Sequence, residues 1–324
     1  MKFVYVLVSS DNDYLLEQTI VSMYSLRKYN PNSTIIIFTD EETHKRIIEK
    51  KSEITEYINE FIIPMLPPYL SNIQKSRFLK TSIRKYIKGS FLYIDIDTII
   101  TSNLKDLDKF DYDLGAVLSM HRIDWSVETL HSMVFDYNKY CKKNLLSEYP
   151  ISHYFNGGVI FSKDTPVSHN FFNLWHKLWF EESINLGFHK DQISMWKANY
   201  ILGHVIEELE PEYNCQIVYP NYAFPYLKNC KILHYFSSSK QGSHIKLKNK
   251  DFLEKIRTSG VTDEVKLYLD NFTTEFISGL MILMDDDLRF FHTPASLIAR
   301  KISMKIPFIN SLLQKSLNLY GKLF

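Results

Sequence analysis

Two aspartates at the end of an apolar strand are the residues in this sequence best placed to do chemistry. Phe91-Leu92-Tyr93-Ile94 runs directly into Asp95-Ile96-Asp97, and in an extended chain residues i and i+2 project to one side. Like charges that converge repel, and the arrangement becomes favourable when a divalent cation takes both carboxylates and phosphate oxygens complete its shell. The D-x-D spacing alone carries nothing, because it also occurs at Asp11/Asp13, Asp106/Asp108, Asp111/Asp113 and Asp285/Asp287. On this segment by itself, an ordinary acidic turn at a strand end is an equal alternative.

Three further segments could complete such a site. Asn156-Gly157-Gly158 stands ahead of the apolar run Val159-Ile160-Phe161 and offers the glycines that close approach of backbone to a ligand needs; it also reads as a turn. Asp191-Gln192 opens a helical stretch, Ile193–Tyr200, where Asp191 could equally be a plain N-cap. His234 ends an apolar strand, and Lys240 follows six residues on in a Ser-rich loop. A structural histidine and a solvated lysine are the bland alternatives there.

Positioning these groups takes a scaffold, and the order of apolar runs supplies one. Phe3–Val8 predicts a buried strand, after which Leu15, Leu16, Ile20, Met23, Tyr24 and Leu26 keep helical spacing as far as Asn30-Pro31-Asn32-Ser33. Thr34–Phe38 predicts a second strand, Glu41–Lys51 a charged helix and Phe61–Met65 a third strand. This β-α-β-α-β alternation predicts a mostly parallel sheet with helices on both faces and ligands beyond the carboxyl ends of its strands. A helix over about Ile73–Ile87 leads into the Asp95 strand, and strand-like runs follow at Leu114–Leu118, Gly158–Phe161 and Lys231–Tyr235. The aromatic run from Phe171 to Phe180 has the spacing of a core helix. No linker rich in Pro, Gly or Ser interrupts the chain. One α/β domain is expected over residues 1–248, with a helical extension over 249–324.

Composition removes several classes of function. The 38 Lys and Arg against 37 Asp and Glu leave a formal charge of +1, unlike the polycation of a general nucleic-acid binder, so no nucleic-acid partner is expected. Three cysteines, Cys141, Cys215 and Cys230, form no C-x-x-C pair and fit neither a disulfide framework nor a cysteine zinc site. A reducing, cytoplasmic compartment follows as the expectation. The absence of G-x-G-x-x-G and G-x-x-x-x-G-K excludes the dinucleotide fingerprint and the P-loop. No window reaches the roughly 20 apolar residues that span a bilayer, and no cleaved leader is read at the start.

Taken in order, these residues resemble glycosyltransferase family 8, the retaining sugar-nucleotide transferases with a GT-A fold that include bacterial lipopolysaccharide galactosyl- and glucosyltransferases and the glycogenins. The likeness spans about Phe3 to Lys240. It includes Tyr14, Ser25-Leu26, Thr39-Asp40, Arg77, Tyr93-Ile94-Asp95-Ile96-Asp97, Asn156-Gly157-Gly158, Asp191-Gln192, Tyr213-Asn214, His234-Tyr235 and Lys240. The resemblance implies that Asp95, Asp97 and His234 ligate Mn²⁺ or Mg²⁺, that Lys240 meets the donor diphosphate, and that Arg77 helps bind donor phosphate or sugar. It further implies that Ser9, Asp11 and Asn12 lie near the uridine of a UDP-hexose donor and that Asn156, Asp191 and Gln192 line the donor sugar. Charge gained by the departing UDP would then be stabilised by the cation and a lysine more in the transition state than in the ground state. An amide is a poor nucleophile, so front-face attack with Gln192 as a positioning group is the expected route. Two positions depart from the family pattern. Ser237 stands where a glycine is frequent, which bears on approach of the phosphate. Ser119 stands where galactosyltransferases of the family read the sugar with an aspartate, so UDP-glucose, UDP-galactose and an N-acetylated sugar all stay open.

Two rival classes share parts of this pattern. A metal-dependent nucleotidyltransferase would carry a Gly/Arg-rich loop after the first strand, and Ser9-Ser10-Asp11-Asn12-Asp13 is not one. A nucleotide-sugar binding module without turnover has no sequence feature against it. The resemblance implies a glycan or lipid-linked glycan as acceptor, as in lipopolysaccharide biosynthesis. After Asp287 the sequence has Arg289, Arg300, Lys301, Lys305, Lys315 and Lys322 and no acid, while Ile309, Leu312, Leu313, Leu317 and Tyr320 share one helical face. Such a tail predicts peripheral attachment to an anionic membrane surface on its cytoplasmic side, with packing on the catalytic domain as the alternative.

Overall fold

The computed structural model describes residues 1–50, 52–121, 153–217, 220–237, 245–272 and 293–295. Residues Met1–Asn271 form one compact unit and Phe272–Phe324 a second. The basic tail and Lys240 lie outside the described residues.

The first unit opens with β1 (Lys2–Leu7), α1 (Leu15–Tyr29), β2 (Thr34–Thr39), α2 (Glu41–Glu49) and β3 (Glu60–Ile62). β1 and β2 are buried along nearly their whole length, as strands covered on both faces must be. β3 stops at Ile62, short of the expected Met65, because Pro64, Pro67 and Pro68 follow and proline supplies no ladder donor; Met65 is 95% exposed. Ser71 then starts α3 (Asn72–Thr81) through a capping box with Gln74, which satisfies two backbone donors reciprocally. The long helix expected through Ile87 is broken at Ser82, whose hydroxyl bonds back to Leu79 O at 3.2 Å, and a single turn, α4 (Ile83–Tyr86), completes it.

β4 (Phe91–Ile94) pairs in parallel with β1, and β5 (Thr98–Ile100) leaves for a second sheet. β6 (Leu114–Leu118) and β7 (Phe155–Ser162) follow, then α5 (Pro166–Leu186), α6 (Asp191–Ile201) and β8 (Ile206–Glu208). α5 is the expected aromatic core helix, with Phe171, Trp175 and Trp179 fully buried. Thr165 caps its start, Pro166 occupies its first turn, and Gly187 ends it at φ 63°. The last described elements are β9 (Cys215–Gln216), α7 (Pro220–Leu227), β10 (Ile232–His234), α8 (Lys250–Ser259) and α9 (Asp263–Asp270).

Among the described residues the large sheet has the order β3-β2-β1-β4-β7-β6-β8, with β7 antiparallel to both neighbours and the other pairs parallel. The carboxyl ends of β1, β2, β3, β4 and β6 and the amino end of β7 therefore share one edge. A three-stranded sheet, β5-β10-β9, stands beside it, tied to α1 by Ser25 Oγ accepting from Ile100 N–H at 2.9 Å and by Ser22 Oγ against Thr98 Oγ1 at 2.9 Å. Alternate residues of the strands, including Val4, Val6, Ile36, Phe38, Phe91 and Tyr93, pack into one core with Leu79, Phe172 and Trp175 from the helices. The loop after β1 is clasped from α8: Arg257 Nε pairs with buried Glu17 at 2.7 Å, and its guanidinium reaches the carbonyls of Asp11 and Asp13.

Candidate active site

Asp95 and Asp97 occupy the turn that carries the chain from the large sheet to the small one. Asp95 N–H donates to Gly158 O at 2.7 Å and Tyr235 N–H to Asp97 O at 3.1 Å, so backbone bonds fix both carboxylates. His234 ends β10 in register with Thr98. One ligand atom from each of Asp95, Asp97 and His234 lies within 4.8 Å of the others, and His234 Nε2 is 3.2 Å from Asp97 Oδ1. The second Asp97 oxygen accepts from Ser237 N–H at 2.7 Å and from Ser237 Oγ at 3.1 Å. Burial works against the Asp97 carboxylate, but His234 and the two Ser237 donors outweigh it and hold its pKa below the usual range.

A chain of amides sets the orientation of the histidine. Gly158 N–H can only donate, and it donates to Asn156 Oδ1 at 2.8 Å. Asn214 Nδ2 donates to the same oxygen at 2.9 Å, which leaves Asn214 Oδ1 to accept from His234 Nδ1 at 3.1 Å. Nδ1 therefore carries a proton and Nε2 faces Asp97. Two acceptors at 3.2 Å need a positive charge between them or on one of them. An imidazolium proton meets that need, and a divalent cation meets it while engaging Asp95 as well, so the donor set fits a metal. Phe236 stacks on the ring, centroids 3.9 Å apart and planes within 5°. A Cβ at Gly158 would stand 2.3 Å from His234 Cε1.

The opposite wall is cationic. Arg77 and Lys80, three residues apart on α3, face the same way. Arg77 Nε lies 3.1 Å from Asp191 Oδ1, and Lys80 Nζ lies 3.0 Å from Asp191 Oδ2 and 3.4 Å from Asp95 Oδ1. Asp191 is the first residue of α6, not its cap; Lys190 occupies that position. Burial raises the Asp191 pKa and the two cations more than reverse it. Beside it, Gln192 Nε2 donates to Ser119 Oγ at 3.1 Å. The turn presenting Ser119 has Met120 and His121 at φ 58° and 55°, held by Gln216, which accepts from Met120 N–H at 2.7 Å.

The residues singled out in the sequence thus divide. Asp95, Asp97 and His234 converge; Arg77 and Asp191 join them through Lys80, and Gln192 follows Asp191. Asn156 is buried and its oxygen serves Gly158 and Asn214. Its glycines lie inside β7, not ahead of it. Ser9 is buried, with its hydroxyl accepting from Arg46 at 3.0 Å. Asp11 and Asn12 are exposed in the same loop, Asp11 paired with Lys50. Lys80 escaped sequence reasoning altogether, while Tyr93 and Asn214 entered it only within the family likeness and Ser237 only as a departure from it. Only the three-residue spacing from Arg77 could have pointed to Lys80. Lys248 also lies where the Asp97 charge acts on it, and burial pulls its ammonium down to about 8.

A mostly parallel α/β sheet with paired carboxylates on the turn beyond its central strand is the architecture of GT-A nucleotide-sugar transferases. The chain belongs to glycosyl transferase family 8, whose model matches residues 5–241. The fold is similar to that of the glycosyltransferase GlyE of Streptococcus pneumoniae, with TM-score 0.50 and 18% identity over 85% of this chain and 64% of that one. It is also similar to the bifunctional glycosyltransferase WbbM, with TM-score 0.51 and 17% identity over 82% of this chain and 51% of that one. The chain therefore spans less than two thirds of either relative. No curated protein matches the sequence.

Proposed function

We propose that the chain is a retaining glycosyltransferase that moves a hexose from a UDP-sugar to a glycan or lipid-linked glycan, with Mn²⁺ or Mg²⁺ held by Asp95, Asp97 and His234. The observation that carries this reading is the convergence of those three side chains within 4.8 Å at the carboxyl edge of the sheet. An imidazole nitrogen among carboxylate oxygens suits Mn²⁺ better than Mg²⁺. The bound cation would supply positive charge to the diphosphate of the leaving group. The chain's own residues do the rest. The backbone bonds of Asp95 and Asp97 keep the ligands in place before donor arrives, so no reorganisation is needed at the moment of bond cleavage. Arg77 reaches donor phosphate or sugar, Lys240 and Lys248 add charge near the diphosphate, and Asp191 and Gln192 orient the sugar for attack by the acceptor hydroxyl from the leaving-group face.

Incubation with a panel of UDP-sugars and Mn²⁺ while following free UDP tests the reading. UDP release abolished by EDTA supports it; donor binding without UDP release turns it into a nucleotide-sugar binding module. Gln192→Ala is expected to lower kcat by about 10-fold or more with the affinity for UDP unchanged, since UDP lacks the sugar. Equal losses in kcat and in UDP affinity, the latter by calorimetry, would displace Gln192 from the sugar site.

The basic tail after Asp287 extends the reading to an anionic membrane surface, each Lys or Arg contributing about 1 kcal/mol there. Among the described residues no helix is long and apolar enough to cross a membrane. Salt-sensitive co-sedimentation of the full chain with anionic liposomes, lost when the tail is removed, is expected. Salt-insensitive behaviour equal with and without the tail would end this extension.

A further inference from the structure

Lys80 is buried, its side chain 4% exposed, between a carboxylate assigned to the metal and one assigned to the sugar. Its ammonium lies 4.9 Å from the centre of the Tyr93 ring, and a Cβ at Gly157 would sit 3.4 Å from Nζ. A charge so enclosed costs several kcal/mol unless fully paired. Two carboxylates share it: Nζ is ion-paired with Asp191 Oδ2 at 3.0 Å and hydrogen-bonds Asp95 Oδ1 at 3.4 Å. One ammonium therefore bridges the two carboxylates, and a change of charge at one is felt by the other.

Resting on the metal reading above, we propose that Lys80 is a positioning residue that couples the metal to the donor sugar. A divalent cation on Asp95 would take up that carboxylate's charge and repel the ammonium. Lys80 then keeps Asp191 as its one carboxylate partner of the two and fixes it beside Arg77 for the sugar hydroxyls. Metal loading and sugar placement become linked, because both states of one ammonium are biased by the same ion.

The coupling makes two effects of Lys80→Met run in opposite directions. Without the competing ammonium, Mn²⁺ alone should bind the donor-free full chain about tenfold more tightly, read from the electron paramagnetic resonance signal of free Mn²⁺. With donor and saturating Mn²⁺, kcat should fall by about 10-fold or more, because Asp191 loses its orienting partner. Lys80→Arg, which keeps a cation, should hold Mn²⁺ affinity within about twofold of wild type. A merely structural lysine would weaken metal binding and turnover together. Should Lys80→Met not fold by circular dichroism, Lys80→Gln carries the same expectation. Mn²⁺ affinity unchanged or weaker in the uncharged variant, or unchanged kcat, overturns the coupling while the metal reading stands. A wild-type chain that binds no Mn²⁺ overturns both.

Discussion

Asp97→Asn is expected to fold like the wild type and to lose about 1000-fold in kcat, near 4 kcal/mol of transition-state stabilisation. The amide has the shape of the carboxylate, and its oxygen can still accept from Ser237 N–H and Oγ, so the turn between the two sheets keeps its bonds. What disappears is one negative charge out of the three-residue donor set. Asp97 is ionised well below neutral pH in the wild type, so the loss should be the same across the working range and not recover on raising pH. Free UDP measured at saturating Mn²⁺, with near-ultraviolet circular dichroism as the folding control, checks it. Full activity of this variant, or full activity of the wild type in excess EDTA, would remove the metal from the reaction.

Gly158→Ala should be nearly as damaging although it alters no charged group. The new methyl would meet His234 Cε1 at 2.3 Å, His234 Nδ1 at 2.7 Å and Asn156 Oδ1 at 2.8 Å. The ring has nowhere cheap to go, being stacked on Phe236 and tied to Asn214. Displacing a ligand by about 1 Å costs about 100-fold in rate, and that loss is expected in kcat together with weaker Mn²⁺ binding. Gly157→Ala is the control: there the methyl would find Lys80 Nζ at 3.4 Å, Met195 Sδ at 3.5 Å and Lys80 Cε at 3.8 Å, and a change under about tenfold is expected. Equal activity of the two variants would show that His234 does not need its place.

Local signals explain what could be read from the sequence. The strand running into Asp95 was legible because four apolar residues stand directly before the acids; α5 was legible from aromatic spacing alone. The order of strands and helices also predicted the mostly parallel sheet. Boundaries failed where particular bonds decide them: Ser82, inside the expected helix, interrupts it with its hydroxyl bonded back to Leu79 O, and β7 begins at Phe155 because pairing with β6 and β4 overrides two glycines. Lys80 was invisible as a site group for a stronger reason. Its partner Asp191 lies far along the chain, and no periodicity encodes such a meeting. Ser237 showed the reverse: it departs from the family's glycine, yet its hydroxyl gives Asp97 an additional donor.

The split of the ligands between two sheets also sets an order of assembly. As the chain emerges from its amino terminus, β1 through β4 can pair and bring both aspartates to the sheet edge, but Asp97 meets Ser237 only across 140 residues of intervening sequence. β10 must reach β5 before His234 arrives, a closure of the non-local kind that forms slowly. A partly made chain therefore carries the two carboxylates without the histidine that joins them. On the proposed metal reading, cation capture would report, in a refolding experiment, the moment at which the small sheet closes.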